Sequence, residues 1–493
     1  MFVPMKKYYC ILYAMLLFCQ TLTAQFKDSL SITAGVTVTV ATKPYQPLWL
    51  LANQFGTLRN RQADVALHLK ITNRHDFGSD HWITSDSSTK NFSLKYGFDI
   101  YNNNKLQSTF FKEAYLKFAF RNLELRAGRL AEVIGEVDPS LSSGSLGVSG
   151  NALPIPQVGL KLTRYVNVPL TKGWVQFKGE FSHGWLGEDS SVKNAFLHHK
   201  SAYLKFGKGS FQFYAGLNHF AQWGGSTASG RLPSRFKDYL RIVLARSGKG
   251  GDYVYQQGPG SADTANGVGN HLIIPDFGFV FKSNGNSFQL YTQNIFDKGR
   301  ADSANQRDEL DALRIFGPDH LVGFKWEREK KKFLQGIAIE WIYTKNQGGP
   351  VQFIGRDDYY NNSVYPTGWQ YKNRIIGTPL FIRRADAIAY GLDLTSVSDP
   401  RAITSNRITG LHLGAKGFVN QHIFYRVMAT HVKHFGNYYN DEVFAVKKNQ
   451  THLLIEAGGW FLETMKVTAS IGHDFGEIYQ STGAKLSIDW KLY

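Results

Sequence analysis

Two groupings in the chain carry side chains of the kind that do ordinary catalytic or metal chemistry. Asp357 and Asp358 are adjacent, and His431 and His434 stand three apart in HVKHF. Paired carboxylates that cleave a glycosidic bond act across the sugar, roughly 5 to 9 Å from one another. Neighbouring residues seldom reach around a ring in that way, so the pair reads as loop-ordering or capping. The two histidines would converge on a metal only from a helix, and the strand-like sequence around them sends them to opposite faces. No G-x-S-x-G, H-E-x-x-H or G-x-x-x-x-G-K-[ST] signature is present. The residues therefore point to no enzyme, no cofactor and no metal site.

The stretch around the acidic pair asks for different chemistry. DDYYNNSVYPTGWQY places Tyr359, Tyr360, Tyr365, Trp369 and Tyr371 among Asp357, Asp358, Asn361 and Asn362, with no period of 2 or 3.6. Sugar rings expose apolar C–H faces that lie against aromatic rings, and their hydroxyls need short polar groups close by. Arg356, Lys372 and Arg374 flank the stretch and could meet carboxylates, arginine by a two-pronged contact. The alternative reading is a self-packed loop that plugs or caps a larger structure, its tyrosines bonded to backbone. The two readings are compatible.

Strands must hold these residues. DVALHLKIT sets Val65, Leu67, Leu69 and Ile71 against Asp64, His68 and Lys70; EAYLKFAF, WVQFKGEF, MKVTASIG and AKLSIDWKLY repeat the alternation to the C-terminus. A soluble sandwich also alternates. A membrane barrel is favoured by the unbroken length, the scarcity of helices to cover a sheet, and tryptophans near strand ends at Trp174, Trp185, Trp326, Trp341, Trp460 and Trp490. At about 10 residues per spanning strand, the chain has room for roughly 14 to 20 strands. Terminal Tyr493 falls in the polar phase with Lys491 and Asp489, unlike a usual barrel ending. Long non-alternating segments at 128–156, 224–234, 248–270, 296–318 and 354–379 are expected to be functional loops. Within the fourth, residues 301–316 are the best helix candidate.

The N-terminus MFVPMKKYYCILYAMLLFCQTLTAQ has basic Lys6 and Lys7, an apolar run from Tyr8 to Cys19 and small Ala24. It reads as a signal peptide (residues 1–24), too short to span a bilayer as a helix. Removing it leaves residues 25–493 as the barrel, without either cysteine, and takes the net charge from +17 to +15. No disulfide or thiolate site is then available. An exported basic chain is expected to meet surface polysaccharide, lipopolysaccharide and outer-membrane lipid, not nucleic acid.

Three segments in order along the chain, SLSSGSLGVSGNALPIPQVGLKL (Ser140 to Leu162), HFAQWGGSTASGRLPSRFKDYLRI (His219 to Ile242) and GRDDYYNNSVYPTGWQYKNRIIGTPL (Gly355 to Leu380), resemble the capsule assembly Wzi family. The resemblance implies an all-β fold: a transmembrane outer-membrane β-barrel of about 18 antiparallel strands with minor helical segments. It also implies a helical bundle at the periplasmic side, to which residues 301–316 are the only visible contribution. The implied function is that of a non-enzymatic outer-membrane lectin that attaches exported capsular polysaccharide to the cell surface, acting as a monomer. Carried onto this chain, the segments nominate Asn151, Pro154, Pro156, Gly224, Gly225, Gly368 and Gly377 as loop-shaping residues. Gln222 falls in the same segments. Trp223, Asp357, Asp358, Tyr359, Tyr360, Asn361, Asn362, Tyr365, Trp369, Tyr371 and Arg374 are the glycan-binding candidates, Trp223 equally able to pack within a hairpin. The rival readings are a porin or substrate-specific channel, and an outer-membrane enzyme lacking any visible catalytic group.

Overall fold

A computed structural model describes residues 29–77, 92–188, 190–228, 230–245, 268–297, 317–347, 357–397, 400–439 and 443–493. The strands follow the alternation. In chain order they are β1 (Ser31–Ala41), β2 (Ala63–Phe77), β3 (Phe92–Asn103), β4 (Ser108–Phe120), β5 (Leu123–Arg129) and β6 (Gln157–Leu162). Next come β7 (Val175–Gly187), β8 (Ala195–Phe206), β9 (Phe211–Trp223), β10 (Asn270–Ser283), β11 (Asn286–Asn294) and β12 (His320–Arg328). The last six are β13 (Gly336–Tyr343), β14 (Ile408–Phe418), β15 (Ile423–His434), β16 (Lys448–Phe461), β17 (Met465–Gly476) and β18 (Ser481–Lys491). Each pairs antiparallel with the next, and β1 pairs with both β2 (Val36 opposite Leu67) and β18 (Val36 opposite Ile488). Among the described residues the sheet is thus a closed barrel of 18 strands. Closure leaves no unpaired edge, which is what a sheet in hydrocarbon requires. Tyr493, though out of phase, still exchanges backbone hydrogen bonds with Ile32.

The barrel is apolar outside. Val65, Leu67 and Leu69 on β2, Leu116, Phe118 and Phe120 on β4, and Leu411 and Leu413 on β14 are all exposed; Ile455 is 65% exposed. Such a surface would drive aggregation in water and suits a bilayer. Trp185 and Trp341 stand exposed near one end of the wall, and Trp174, Trp460 and Trp490 near the other, as two aromatic girdles. Trp326 belongs to the second end, its indole donating to Asn286 Oδ1 at 3.2 Å.

The two ends differ. One carries Ser31, Lys491 and the tight turns, such as 121–122 and 284–285; the other receives 42–62, 130–156, 224–269, 298–319 and 344–407. The segment 301–316 lies outside the described residues, but its flanking strands meet at this loop end, away from the turns. Among the described residues three short helices, α1 (Leu48–Leu51), α2 (Phe236–Leu244) and α3 (Arg384–Ala389), all belong to loop-end connections.

Candidate functional site

Loop-end segments turn back into the lumen. Helix α1 enters against β15 and β17, its Trp49 indole donating to Thr430 and its Leu48 N–H to Asp474. Two longer segments follow, the first hooked to the inner wall strand by strand. Glu136 N–H donates to Asp276 of β10, and Leu146 N–H to Gln293 of β11. Asp138 lies 3.1 Å from Lys325 of β12. Ser142 Oγ and Ser143 N–H both donate to Glu340 of β13 at 2.6 Å, and the Leu141 carbonyl faces His412 Nε2 of β14 at 2.7 Å. The Ser140 carbonyl accepts from Arg426 of β15. Small serines let this backbone approach the wall closely, so its polar groups are satisfied by strand side chains rather than water. Burial alone would raise the Asp138 carboxyl, but Lys325 and Lys416 beside it hold it well below the usual carboxylate range.

Residues 357–383 pack on that first segment. Tyr359 is 1% exposed, its hydroxyl 2.8 Å from Asp319 Oδ2 and 3.0 Å from the Ile295 carbonyl. Tyr360 donates to the Leu146 carbonyl and accepts from Thr378 N–H at 3.1 Å. Burial pushes both phenols upward, so they stay protonated donors. Trp369 donates its indole N–H to the Gly147 carbonyl at 2.9 Å and sets an edge on Phe220 of β9. Asn361 bonds both ways with the Ile403 backbone. The Asn362 side chain accepts from Val364 and Tyr365 N–H, the local turn its residue type favours. Asp358 accepts from Asn406 at 2.6 Å, and Asp357 donates its backbone N–H to Gln347. The stretch thus builds the lumen filling that the self-packed reading describes.

Two nominated glycines are explained by close approach. A Cβ on Gly377 would stand 2.0 Å from the Tyr360 hydroxyl and 2.6 Å from the Leu146 carbonyl; one on Gly368, at φ +70°, would stand 2.2 Å from the Tyr360 carbonyl. Asn151 donates to the Ile375 carbonyl, and the Pro154 and Pro156 carbonyls accept from Arg129 and from Trp185 N–H. Gly224 gives its carbonyl to the Tyr365 hydroxyl, and Gly225 sits against Val192 and Lys193.

The remaining nominees separate. Trp223 points out of the barrel and packs beneath α2, against Phe196 and Tyr239, apart from the aromatics of 357–371. Its wall neighbour Gln222 points inward and donates to the Gly368 carbonyl. Arg374 donates to the Leu58 carbonyl, and burial lowers its pKa. Arg356 lies outside the described residues. His431 is exposed on β15 while His434 is buried on the other face. Among the described residues no group of three His, Cys, Asp or Glu is placed to hold a metal ion.

What faces outward is a pair of clefts at the loop end. One, a shallow cleft, has Tyr365 and Tyr371 in its wall with Gln222, Thr367, Gln370, Lys372, Asn373 and Ser190. Arg129 lies over the Tyr371 ring at 5.6 Å. Burial and Arg129 draw the Lys372 ammonium below the ordinary lysine value. The other is edged by Arg374, by Arg383 bound two-pronged to Asp386, and by Tyr390 stacked on Tyr479 at 4.0 Å. Thr367, Gln370, Ser190 and the Tyr390–Tyr479 stack carried no sequence signal, because their partners come from three different connections.

Comparison with known proteins agrees with this architecture. The structure of Wzi from Escherichia coli, described as an outer-membrane protein involved in group 1 capsule assembly and a carbohydrate-binding β-barrel, matches with a TM-score of 0.55 at 14% identity, covering 96% of this chain and 86% of that one. The Pseudomonas aeruginosa protein OccK5 (OpdH) matches with a TM-score of 0.47 at 8% identity, over 94% and 98% of the two chains. At 14% identity the likeness to Wzi shows the fold alone. No match was found among curated proteins. The sequence model of capsule assembly protein Wzi matches residues 59–396, which takes in the inserted segments 130–156 and 357–383 but not α1. The chain belongs to the capsule assembly protein Wzi family.

Proposed function

We propose that this protein is a non-enzymatic lectin of the outer membrane that holds exported capsular polysaccharide at the cell surface. Its loop end faces outward and residues 1–24 act as the export signal. The family supports a part in capsule assembly. The observation that carries the finer reading is the lumen filled by 130–156 and 357–383, beneath clefts that combine tyrosine rings with amides, hydroxyls and a cation. Filling of that kind opposes a conducting role and leaves the loop end as the working surface. The predominance of short turns at one end and long loops at the other supports this orientation, as in outer-membrane barrels generally.

Within this reading Tyr365 and Tyr371, both nearly buried, form the floor of the cleft, Thr367, Gln370 and Asn373 bond hydroxyls, and Lys372 attracts uronate or other acidic groups. Tyr359, Tyr360, Trp369, Asp357, Asp358, Asn361 and Asn362 hold that wall in place from below. The test is binding of detergent-purified protein to purified acidic capsular polysaccharide, with Lys372→Glu and Gln370→Ala compared. Lys372 lies at the surface, so its substitution should change folding by less than about 0.5 kcal/mol. Half-buried Gln370 also donates to the Thr367 carbonyl at 2.7 Å, so its variant is compared only after heat-shifted mobility confirms the fold. Retention should fall several-fold with the first and less with the second. Undiminished binding by both variants would remove this cleft from the proposal, and release of reducing ends would turn it toward an enzyme.

A further inference from the structure

The outward positions of β7 to β10 break the barrel's rule near the loop end. Where neighbouring strands carry Leu, Phe or Val, these carry His183, His198, Lys200, His219 and His271. Left facing hydrocarbon, such groups would each be costly. They are covered instead by α2, which lies against the outer wall. Tyr239 packs edge-on to His183 and His198, both at 5.6 Å, and tilts against Trp223 at 5.3 Å. Ile242 is fully buried with Ala221 and Val268. Lys200 donates to the Val243 carbonyl near the helix C-terminus, where a cation is favoured. His219 and His271 satisfy one another at 2.8 Å under this cover.

The helix then presents a second surface away from the barrel. Phe236, Leu240 and Leu244, spaced four apart, are 75%, 47% and 56% exposed and form one stripe. Lys237 and Arg241 border the stripe along one side, with Arg235 at its N-terminal end, while the acidic Asp238 faces the barrel and caps the helix. The stripe sits just above Phe181, Leu204 and Leu217, exposed residues of the apolar belt on the same strands. A short helix with an apolar face, a cationic border and this height on the wall has the character of an interfacial element.

We infer that α2 is a lipid-binding device set into the outer wall. It seals the histidine patch, seats its Phe236–Leu240–Leu244 stripe among the acyl chains of the outer leaflet, and holds phosphate groups of an anionic outer-leaflet lipid with Lys237 and Arg241. The inference needs the barrel to stand in a membrane with its loop end outward, but not the polysaccharide reading. A protein that binds no glycan leaves it intact.

Nitroxide labelling tests it in the full chain. With Cys10 and Cys19 replaced by serine, Leu240→Cys, Leu244→Cys and Lys237→Cys are labelled singly and reconstituted in vesicles containing diphosphoryl lipid A. Labels at 240 and 244 should be relaxed by oxygen in preference to a water-soluble nickel chelate, and the label at 237 the reverse. A label at 240 open to the chelate, or shielded from both reagents by another protein surface, overturns the proposal. The phosphate half is read separately, as retention of diphosphoryl against monophosphoryl lipid A in native mass spectra. Lys237→Gln and Arg241→Gln should each cut the preference roughly five-fold, the value of one cation beside an anionic surface. A preference unchanged in the double variant refutes that half.

Discussion

Tyr360 shows how single atoms hold the lumen closed. Its hydroxyl donates to Leu146 of one inserted segment and accepts from Thr378 of the other. Tyr360→Phe keeps the ring and leaves a carbonyl and an N–H buried without that partner, which costs about 1–3 kcal/mol. Urea unfolding of the detergent-solubilised protein should report a loss in that range, with the barrel's heat-shifted gel mobility retained. Asp138 adds a pH dependence of definite sign. Its folded pKa lies below the unfolded value, because Lys325 and Lys416 outweigh burial. Its stabilising contribution is therefore complete above the ordinary aspartate range, near 3.9, and fades only as pH falls through the lowered folded value. Asp138→Asn should cost about 3 kcal/mol at neutral pH and flatten the acid limb of a stability–pH curve. An unchanged acid limb would mean that the pair with the two lysines is not what holds this segment.

At the scale of elements, much of the chain was legible and some was not, for identifiable reasons. Strands such as β2 and β4 announced themselves because one face meets lipid and the other meets polar groups, which a period of 2 records. The stretch 357–371 was visible as aromatic and polar but not as inward-facing. Irregular backbone has no period, and a ring packed edge-on against Phe220 and a ring awaiting sugar have the same composition. Helix α2 went unread: FKDYLRIVL is short, and the stripe Phe236–Leu240–Leu244 looks like an ordinary core face until the barrel wall is known to lie on the other side. The serine-rich segment 140–149 was quoted for its family likeness, yet its role as a set of hooks depends on strands more than 100 residues distant. Glu340 receives two of those hooks, from Ser142 and Ser143, and also accepts from the Tyr291 hydroxyl of β11. Glu340→Gln keeps the shape but turns one acceptor into a donor that faces donors. Hydrogen exchange should quicken across 138–149 while the amides of β1 to β18 stay protected. Uniform exchange in variant and parent would refute a hooking role.

The molecule as a whole is inside-out, with apolar residues on its perimeter and charge at its centre. Arg126, Glu132, Lys161 and Glu180 form an ion-paired chain along the inner wall. Such a lining is what a channel would have, and 18 strands enclose a bore wide enough for water and small solutes. Conduction is therefore decided by the inserted segments and not by the wall. The parent protein in a planar bilayer should pass little steady current, and replacing residues 139–148 by a short Gly-Ser link should raise it many-fold. The link removes the contacts to Glu340, His412 and Gln293 and the carbonyls that receive Tyr360 and Trp369, so residues 357–383 lose their support at the same stroke. Both proteins should retain the heat-shifted mobility, because the backbone ladder closes without the filling. If the parent itself conducts strongly, the lumen is a pathway and the clefts above it are its mouth. If the linked variant stays closed, the filling is held by residues 357–383 together with α1.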